Sequence, residues 1–194
     1  PQVTGVLDAQ AARLGAAGFA ARSGWLTSPT AGGGSWLAHS TFQSGLWIDN
    51  EQRYRTLVSG ERTTLTSAFR RANWRTVGVE PGLTYAWPEG QFYGYDRVYD
   101  SHTLGYRGPK FSWASMPDQF TLQAFETLER GRADRPDLMA EITFVSSHTP
   151  WAPVPDVVDW DTIGDGSIYG PMTADDPSPA EVWKDDDRIR AEYL

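Results

Sequence analysis

Apolar residues recur at helical spacing in four stretches of the chain, and shorter apolar runs lie between them. Spacings of three and four residues predict amphipathic helices, here over residues 6–17, 36–44, 61–73 and 116–130. Short runs rich in apolar and β-branched residues predict strands over 75–79 and 138–146, with a further short strand over 19–27. Strands that alternate with helices favour an α/β fold, in which helices cover the faces of a sheet.

The last fifth of the chain has a different pattern. Residues 151–179 are rich in Pro, Asp and Gly, which predicts an irregular loop that wraps the domain. Residues 179–194 have apolar positions at helical spacing up to the final residue. A helix that is still running at the last residue favours a piece of a longer protein over a natural C-terminal helix, and the absence of an initial Met agrees with this expectation.

Composition excludes several classes of protein. The 194 residues include no cysteine, so a disulfide framework, a Cys-type zinc site and a thiol nucleophile are excluded. The net charge of −8 argues against a nucleic-acid partner, which would require a basic face. With 40% hydrophobic residues the chain can bury a core, yet no apolar run reaches the roughly 20 residues of a membrane helix.

The glycine-rich turn before the second predicted helix is the first candidate for chemistry. Residues 28–45 predict an order of strand, glycine turn and helix, with Ser35 where the helix begins. A helix N-terminus favours an anion, and a serine hydroxyl there can act as a nucleophile if a metal or a base activates it. The commoner role of serine at this position is that of an N-cap, and both interpretations stay open.

Two further stretches carry candidate binding residues. His148 follows the predicted strand 138–146, and polar groups at the end of such a strand often contact a ligand. The alternative is a loop histidine bonded to backbone. Trp87 opens an aromatic stretch over residues 87–100 that could contact a sugar or glycerol headgroup, although core packing explains most of these rings. The three histidines, His39, His102 and His148, are too scattered for a zinc motif.

Four segments occur in the order found in one known family. They are Gly34-Ser35 with Gly45, the stretch FYGYDRVYD at 92–100, Met116-Pro117-Asp118-Gln119, and EITFVSSHTPW at 141–151. Over about residues 5–155 the chain resembles the sulfatase-like branch of the alkaline phosphatase superfamily. Within that branch it is most similar to lipoteichoic-acid-synthase-like phosphoglycerol transferases and their actinobacterial relatives.

This resemblance implies a fold and a site. The fold would be an alkaline-phosphatase-like three-layer sandwich, with a mixed, mostly parallel sheet. Ser35 would be the nucleophile and a ligand of a divalent metal (Mn, Mg, Zn or Ca), with Thr30 as the second choice of nucleophile. His148 and Trp87 would contact a phosphate or sulfate ester, linked to a lipid or to the cell wall. The parent protein would be membrane-anchored, acting on the extracytoplasmic face of a bacterial cell membrane.

The chain also departs from the family pattern. No acidic residue follows a strand before Val6, and no Asp-His pair occurs, so the remaining metal ligands would lie outside this chain. The isolated segment is therefore expected to be inactive. Formylglycine chemistry is excluded, and Glu89 occupies the region where the transferases keep an arginine. Alternatives are a non-catalytic module that binds a glycan or cell-wall polymer, favoured by the many Trp and Tyr residues, and a degenerate pseudoenzyme.

Overall fold

A computed structural model describes residues 2–111, 114–131, 135–148, 154–172 and 179–193. Its eight helices, in chain order among these residues, are α1 Gln2–Ala16, α2 Ser35–Ser44, α3 Glu51–Val58, α4 Leu65–Arg71, α5 Gly90–Tyr93, α6 Asp118–Phe125, α7 Pro179–Val182 and α8 Asp186–Tyr193. The strands are β1 Arg75–Glu80, β2 Arg97–Asp100 and β3 Leu138–Ile142. A π-helical turn, Glu126–Arg130, continues α6, and two 3₁₀ turns lie at Trp160–Thr162 and Ser167–Tyr169.

The three strands form one parallel sheet in the order β2-β1-β3. On the central strand β1, Val77 and Val79 are fully buried in a core cluster that includes Phe120 of α6. The opposite face of β1 is covered at Gly78, where a Cβ would lie only 3.4 Å from the Tyr95 ring. On the same face, Glu141 of β3, which lies beside Gly78, is contacted by His39 and Gln43 of α2. Helices therefore lie on both faces of the sheet, and the α/β class expected from the sequence is confirmed.

The strand expected over residues 19–27 does not form. This stretch has no regular secondary structure, and all its side chains are exposed, including Phe19, Trp25 and Leu26. The prediction is wrong because an apolar run becomes a strand only where a neighbouring strand can pair with its backbone, and none does so here. The pattern also missed α3 and the edge strand β2.

The irregular segment 154–172 contributes to the core. Ile163 and Tyr169 are buried in the same cluster as Val77, whereas Trp160 stays half exposed. Trp151 lies outside the described residues. The helix expected over 179–194 divides into α7 and α8. Among the described helices, none combines the length and the apolar character needed to cross a bilayer.

Candidate functional site

A cavity of about 490 Å³ lies at the carboxyl ends of β1 and β3, beside the N-terminus of α2. Three of the residues proposed from sequence, Ser35, Trp87 and His148, line this one cavity. They come from a helix start, a loop after β1 and the turn after β3. The structure thus brings together side chains that are separated by 52 and 61 positions in the sequence. Ligands of open α/β sheets bind at this edge.

Ser35 is the first residue of α2 rather than its N-cap. Gly34 takes the cap position with a φ of 70°, and no described side chain caps the helix. The left-handed conformation favours glycine at this position, and a Cβ on Gly34 would lie 3.0 Å from the Thr30 hydroxyl. The Ser35 side chain is exposed to the cavity and makes no hydrogen bond with any described residue. Its hydroxyl is therefore available to a ligand.

Thr30, the second choice of nucleophile, does not line the cavity. Its Oγ1 donates to the carbonyl of Gly33 at 3.1 Å. The Ser28 hydroxyl in turn donates to the carbonyl of Thr30 at 2.7 Å. Both bonds lie within the glycine turn, so Thr30 holds the backbone that precedes Ser35.

Trp87 forms one wall of the cavity. Its Nε1 donates to the Tyr54 hydroxyl at 3.3 Å, and its ring lies 5.4 Å from the Tyr93 ring between centroids. A Cβ on Gly90 would lie 2.7 Å from the indole, so this packing requires a glycine there. Trp36 and Tyr54 also line the cavity, giving it an aromatic side.

His148 is placed by the turn that follows β3. Its backbone N–H donates to the carbonyl of Val145 at 3.1 Å. The Asp118 carboxylate, at the start of α6, accepts the N–H groups of Val145 at 2.9 Å and Ser146 at 3.2 Å. The aspartate noted in the sequence at this helix start therefore holds the turn that presents His148 to the cavity.

A partly buried polar network at the base of the cavity was not found from sequence. Its centre is the Glu141 carboxylate of β3, which pairs with His39 Nδ1 at 2.8 Å and accepts the Tyr95 hydroxyl at 2.5 Å. The Gln43 side-chain amide also donates to Glu141. Two signals could have revealed the network. A charged residue interrupts the apolar run 138–146, and His39 and Gln43 follow Ser35 at intervals of four on one face of a helix.

The network has a distinct electrostatic character. Burial would raise the pKa of Glu141, but hydrogen bonds from His39 and Tyr95 outweigh it and hold the pKa below its ordinary value. The hydrogen bond to Glu141 raises the pKa of His39 against the opposing effect of burial. Glu80, at the end of β1, has its pKa raised to about 7 by burial, which the nearby charge of His39 only partly offsets. The base of the cavity thus holds two different carboxyl groups. Glu141 is paired with His39, and Glu80 is a weaker acid with a raised pKa.

The described residues do not supply a metal-ligand set. They contain no group of three or more His, Asp or Glu side chains placed to hold an ion. Ser35 alone is a neutral oxygen donor, whereas catalytic divalent metals in proteins are held by several carboxylate or imidazole groups. Among the described residues that line the cavity, none is Lys or Arg, and Glu89 lines it beside Trp87.

The cavity has the position of a ligand-binding site at the edge of a sheet in an α/β protein. Comparisons with solved structures find proteins of similar structure. The chain is similar in structure to the lipoteichoic acid synthase LtaP from Listeria monocytogenes, with a TM-score of 0.53 and 14% sequence identity over 64% of this chain and 31% of LtaP. A protein in the alkaline phosphatase superfamily from Vibrio parahaemolyticus matches with a TM-score of 0.43 and 17% identity, over 66% of this chain and 34% of its own.

The likeness to LtaP shows the fold. Over the matched part, the chain has the α/β fold of LtaP, which agrees with the fold class that the resemblance in sequence implied. The chain spans about a third of the length of each solved structure. No family model matches the sequence. No curated protein matches it either.

Proposed function

We propose that this chain is the central segment of a sulfatase-like or phosphoglycerol-transferase-like enzyme, which cleaves or transfers a phosphate or sulfate ester with Ser35 as its nucleophile. One observation carries the proposal. Ser35 stands at the start of α2, without a hydrogen-bond partner among the described residues, in the cavity that Trp87 and His148 also line. The shared fold with LtaP supports the same class of activity.

The chemistry proposed for Ser35 is covalent catalysis. Its Oγ attacks the phosphorus or sulfur centre, the ester oxygen leaves, and water or an acceptor alcohol then resolves the covalent intermediate. The backbone N–H groups at the start of α2 favour the negative charge of the bound group. His148 contacts the leaving group, and the Trp87 ring lies against the alcohol part of the substrate.

The metal expected from the resemblance requires ligands that the described residues do not contain. When bound, a divalent metal would stabilise the developing charge on the ester. Its remaining ligands would come from outside this chain, and we therefore expect the isolated segment to be inactive. The substrate would be linked to a lipid or to the cell wall, and the parent protein would be anchored in the membrane with this domain on the extracytoplasmic side.

The direct test is Ser35→Ala in the full-length protein that carries this segment. Hydrolysis of an aryl phosphate or an aryl sulfate should fall to background, and mass spectrometry of the quenched wild-type reaction should find a phosphate or sulfate group on Ser35. Ser59→Ala is the matched control, because its exposed hydroxyl donates only to the carbonyl of Thr56 at 3.1 Å, outside the cavity. Unchanged turnover in Ser35→Ala would overturn the proposal.

A second candidate function is supported by the aromatic side of the cavity. Trp36, Tyr54 and Trp87 could bind a glycan or cell-wall polymer without chemistry. Under that function Ser35→Ala would leave glycan binding unchanged, whereas Trp87→Ala would abolish it. Titration calorimetry with a cell-wall glycan on both variants separates the two candidates.

A further inference from the structure

The side chain of His39 is held in one orientation by its contact with β3. The distance from His39 Nδ1 to Glu141 Oε1 is 2.8 Å, and the carboxylate has only 14% of its surface exposed. In the neutral ring, a hydrogen on Nδ1 that points at a carboxylate leaves Nε2 as a proton acceptor. Nε2 makes no hydrogen bond within the part of the chain that the structure describes.

The carboxylate that holds this ring is itself fixed. Glu141 Oε2 accepts the Tyr95 hydroxyl at 2.5 Å and also the Gln43 amide. The amide cannot turn over freely, because its Oε1 accepts both the N–H and the hydroxyl of Thr66, each at 3.0 Å. An arrangement in which every polar atom has a partner orients a side chain more firmly than a single hydrogen bond does.

Ser35 lies one helical turn before His39 on the same face of α2, and both residues line the cavity. Residues four apart on a helix have Cβ atoms about 6 Å apart. Helical side chains lean toward the N-terminus, which directs a side chain at position 39 toward the turn that begins with Ser35. No hydrogen bond joins the two side chains in this structure, but the Ser35 hydroxyl has no other partner among the described residues to hold it away. Catalytic hydrogen bonds are often formed only with substrate bound.

We propose that His39 is a catalytic residue that accepts the proton of the Ser35 hydroxyl, and that Glu141 is the positioning residue that orients it. The arrangement is a serine, histidine and glutamate constellation built across α2 and β3. The inference rests on the proposed function, because it assumes that Ser35 is the nucleophile.

The proton and the electrons balance over two half-reactions. As the bond from Ser35 Oγ to phosphorus or sulfur forms, the hydroxyl proton moves to His39 Nε2. The ester oxygen leaves with the electron pair of its broken bond and takes a proton on the opposite side, where we have proposed His148. In the second half-reaction, water or an alcohol attacks from the side of His148 and gives its proton to His148. Ser35 Oγ leaves the phosphorus or sulfur with its bonding pair and regains the proton from His39.

The experiment compares His39→Ala with wild type in the full-length protein, on an alkyl and a nitrophenyl ester of the same acid. Nitrophenolate leaves without being protonated, so loss of a base that serves Ser35 should slow both esters equally, by about 10²- to 10³-fold. His148→Ala should slow the alkyl ester more than the nitrophenyl ester. Added imidazole should restore His39→Ala at least about ten-fold, since general base catalysis needs only a basic nitrogen near the hydroxyl.

His102→Ala is the matched control, because the one described hydrogen bond of His102 Nε2 is to the carbonyl of Thr84, at 3.2 Å, and the residue does not line the cavity. If His39→Ala does not fold by circular dichroism, His39→Asn keeps an amide donor for Glu141 and lacks the basic nitrogen. Near-wild-type turnover in the folded variant, a loss confined to the alkyl ester, or a loss that imidazole does not restore would each overturn the role of His39. If Ser35→Ala remained active, the proposed function itself would fail, and the two failures are therefore distinguishable.

Discussion

At the scale of single residues, the base of the cavity is defined by two carboxylates in different electrostatic states. Glu141 is paired with His39 at 2.8 Å. Glu80 accepts only one side-chain hydrogen bond that the structure describes, from the Thr143 hydroxyl at 3.1 Å. A buried carboxylate with few donors is more stable when protonated. Glu80 is therefore the residue through which this site should make folding depend on pH.

We expect the stability of the chain to fall as pH rises through the range set by Glu80. Its pKa is about 7 in the folded state, against an ordinary value of 4.5. Between pH 4.5 and 7, Glu80 is ionised in the unfolded chain but still protonated in the folded chain. The free energy of unfolding is therefore highest below about pH 4.5 and falls as the pH rises to about 7. Glu80→Gln should remove a pH-dependent change in the free energy of unfolding of about 3 kcal/mol.

Urea unfolding of wild type and Glu80→Gln, measured at half-unit steps from pH 4.5 to 7.5, gives the difference directly. The pKa of His39 is raised chiefly by its hydrogen bond to Glu141, and this bond is present in both proteins. Parallel stability curves for the two proteins would contradict the prediction.

The candidate site shows how far single residues can be judged from sequence. Ser35, Trp87 and His148 could be singled out because glycine turns and strand ends have recognisable local patterns. The pairing of His39 with Glu141 was harder to predict, since the two residues lie 102 positions apart and only folding brings them together, although the spacing of four from Ser35 could have pointed to His39. Thr30 shows the opposite case. From sequence its hydroxyl is as able to act as a nucleophile as that of Ser35, but in the structure it donates to the carbonyl of Gly33 within the turn.

At the scale of elements, β1 and the end of α6 are joined by a buried ion pair. Glu129, in the π-helical turn, has a side chain that is only 3% exposed and accepts two hydrogen bonds from Arg75, at 2.5 and 2.6 Å. The Tyr99 hydroxyl donates to the same carboxylate at 2.7 Å. The π turn brings this carboxylate under the sheet, where it connects α6 with both β1 and β2.

Replacing Glu129 by Gln should destabilise the fold by about 3 kcal/mol, because it removes the charge that pairs with Arg75 and places an amide NH₂ where a buried carboxylate oxygen accepts hydrogen bonds. Glu126→Gln is the matched control. It breaks the neighbouring pair with Arg130 at 3.1 Å, where the glutamate side chain is 62% exposed, and should cost about 0.5 kcal/mol or less. Guanidinium denaturation of both variants measures the two costs. Equal costs would show that burial of the ion pair contributes nothing.

The sequence predicted some helices and strands better than others, for physical reasons. Strand β1 contains buried apolar positions and β3 partly buried ones, and local pattern detects both. The edge strand β2, with the sequence RVYD, has too few apolar residues for that, and it forms because its backbone pairs with β1. The helix expected over 116–130 is present only to Phe125, since the π turn that follows is fixed by the contact of Glu129 with Arg75.

At the scale of the whole molecule, the described residues divide into a packed part and an N-terminal part that contributes little to it. The core cluster runs from Val77 to Tyr169. In contrast, every side chain described over residues 5–28 is exposed except Ala11, which is partly buried. Apolar surface stabilises a fold only when it is removed from water, so α1 and the stretch after it should add little to stability.

Removal of residues 1–27 should therefore change the melting temperature by less than about 2 °C, equivalent to about 0.5 kcal/mol for a chain of this size. Tyr169→Ala in the full chain supplies the contrast, because that side chain is fully buried and its hydroxyl donates to Gln119 Oε1 at 3.1 Å. It should cost about 3 kcal/mol and lower the melting temperature by about 10 °C. Calorimetry on the two variants and the wild type measures both effects. A large loss on truncation would mean that the exposed apolar side chains of α1 are covered in solution, and would move the boundary of the stable unit to the N-terminal side of Ser28.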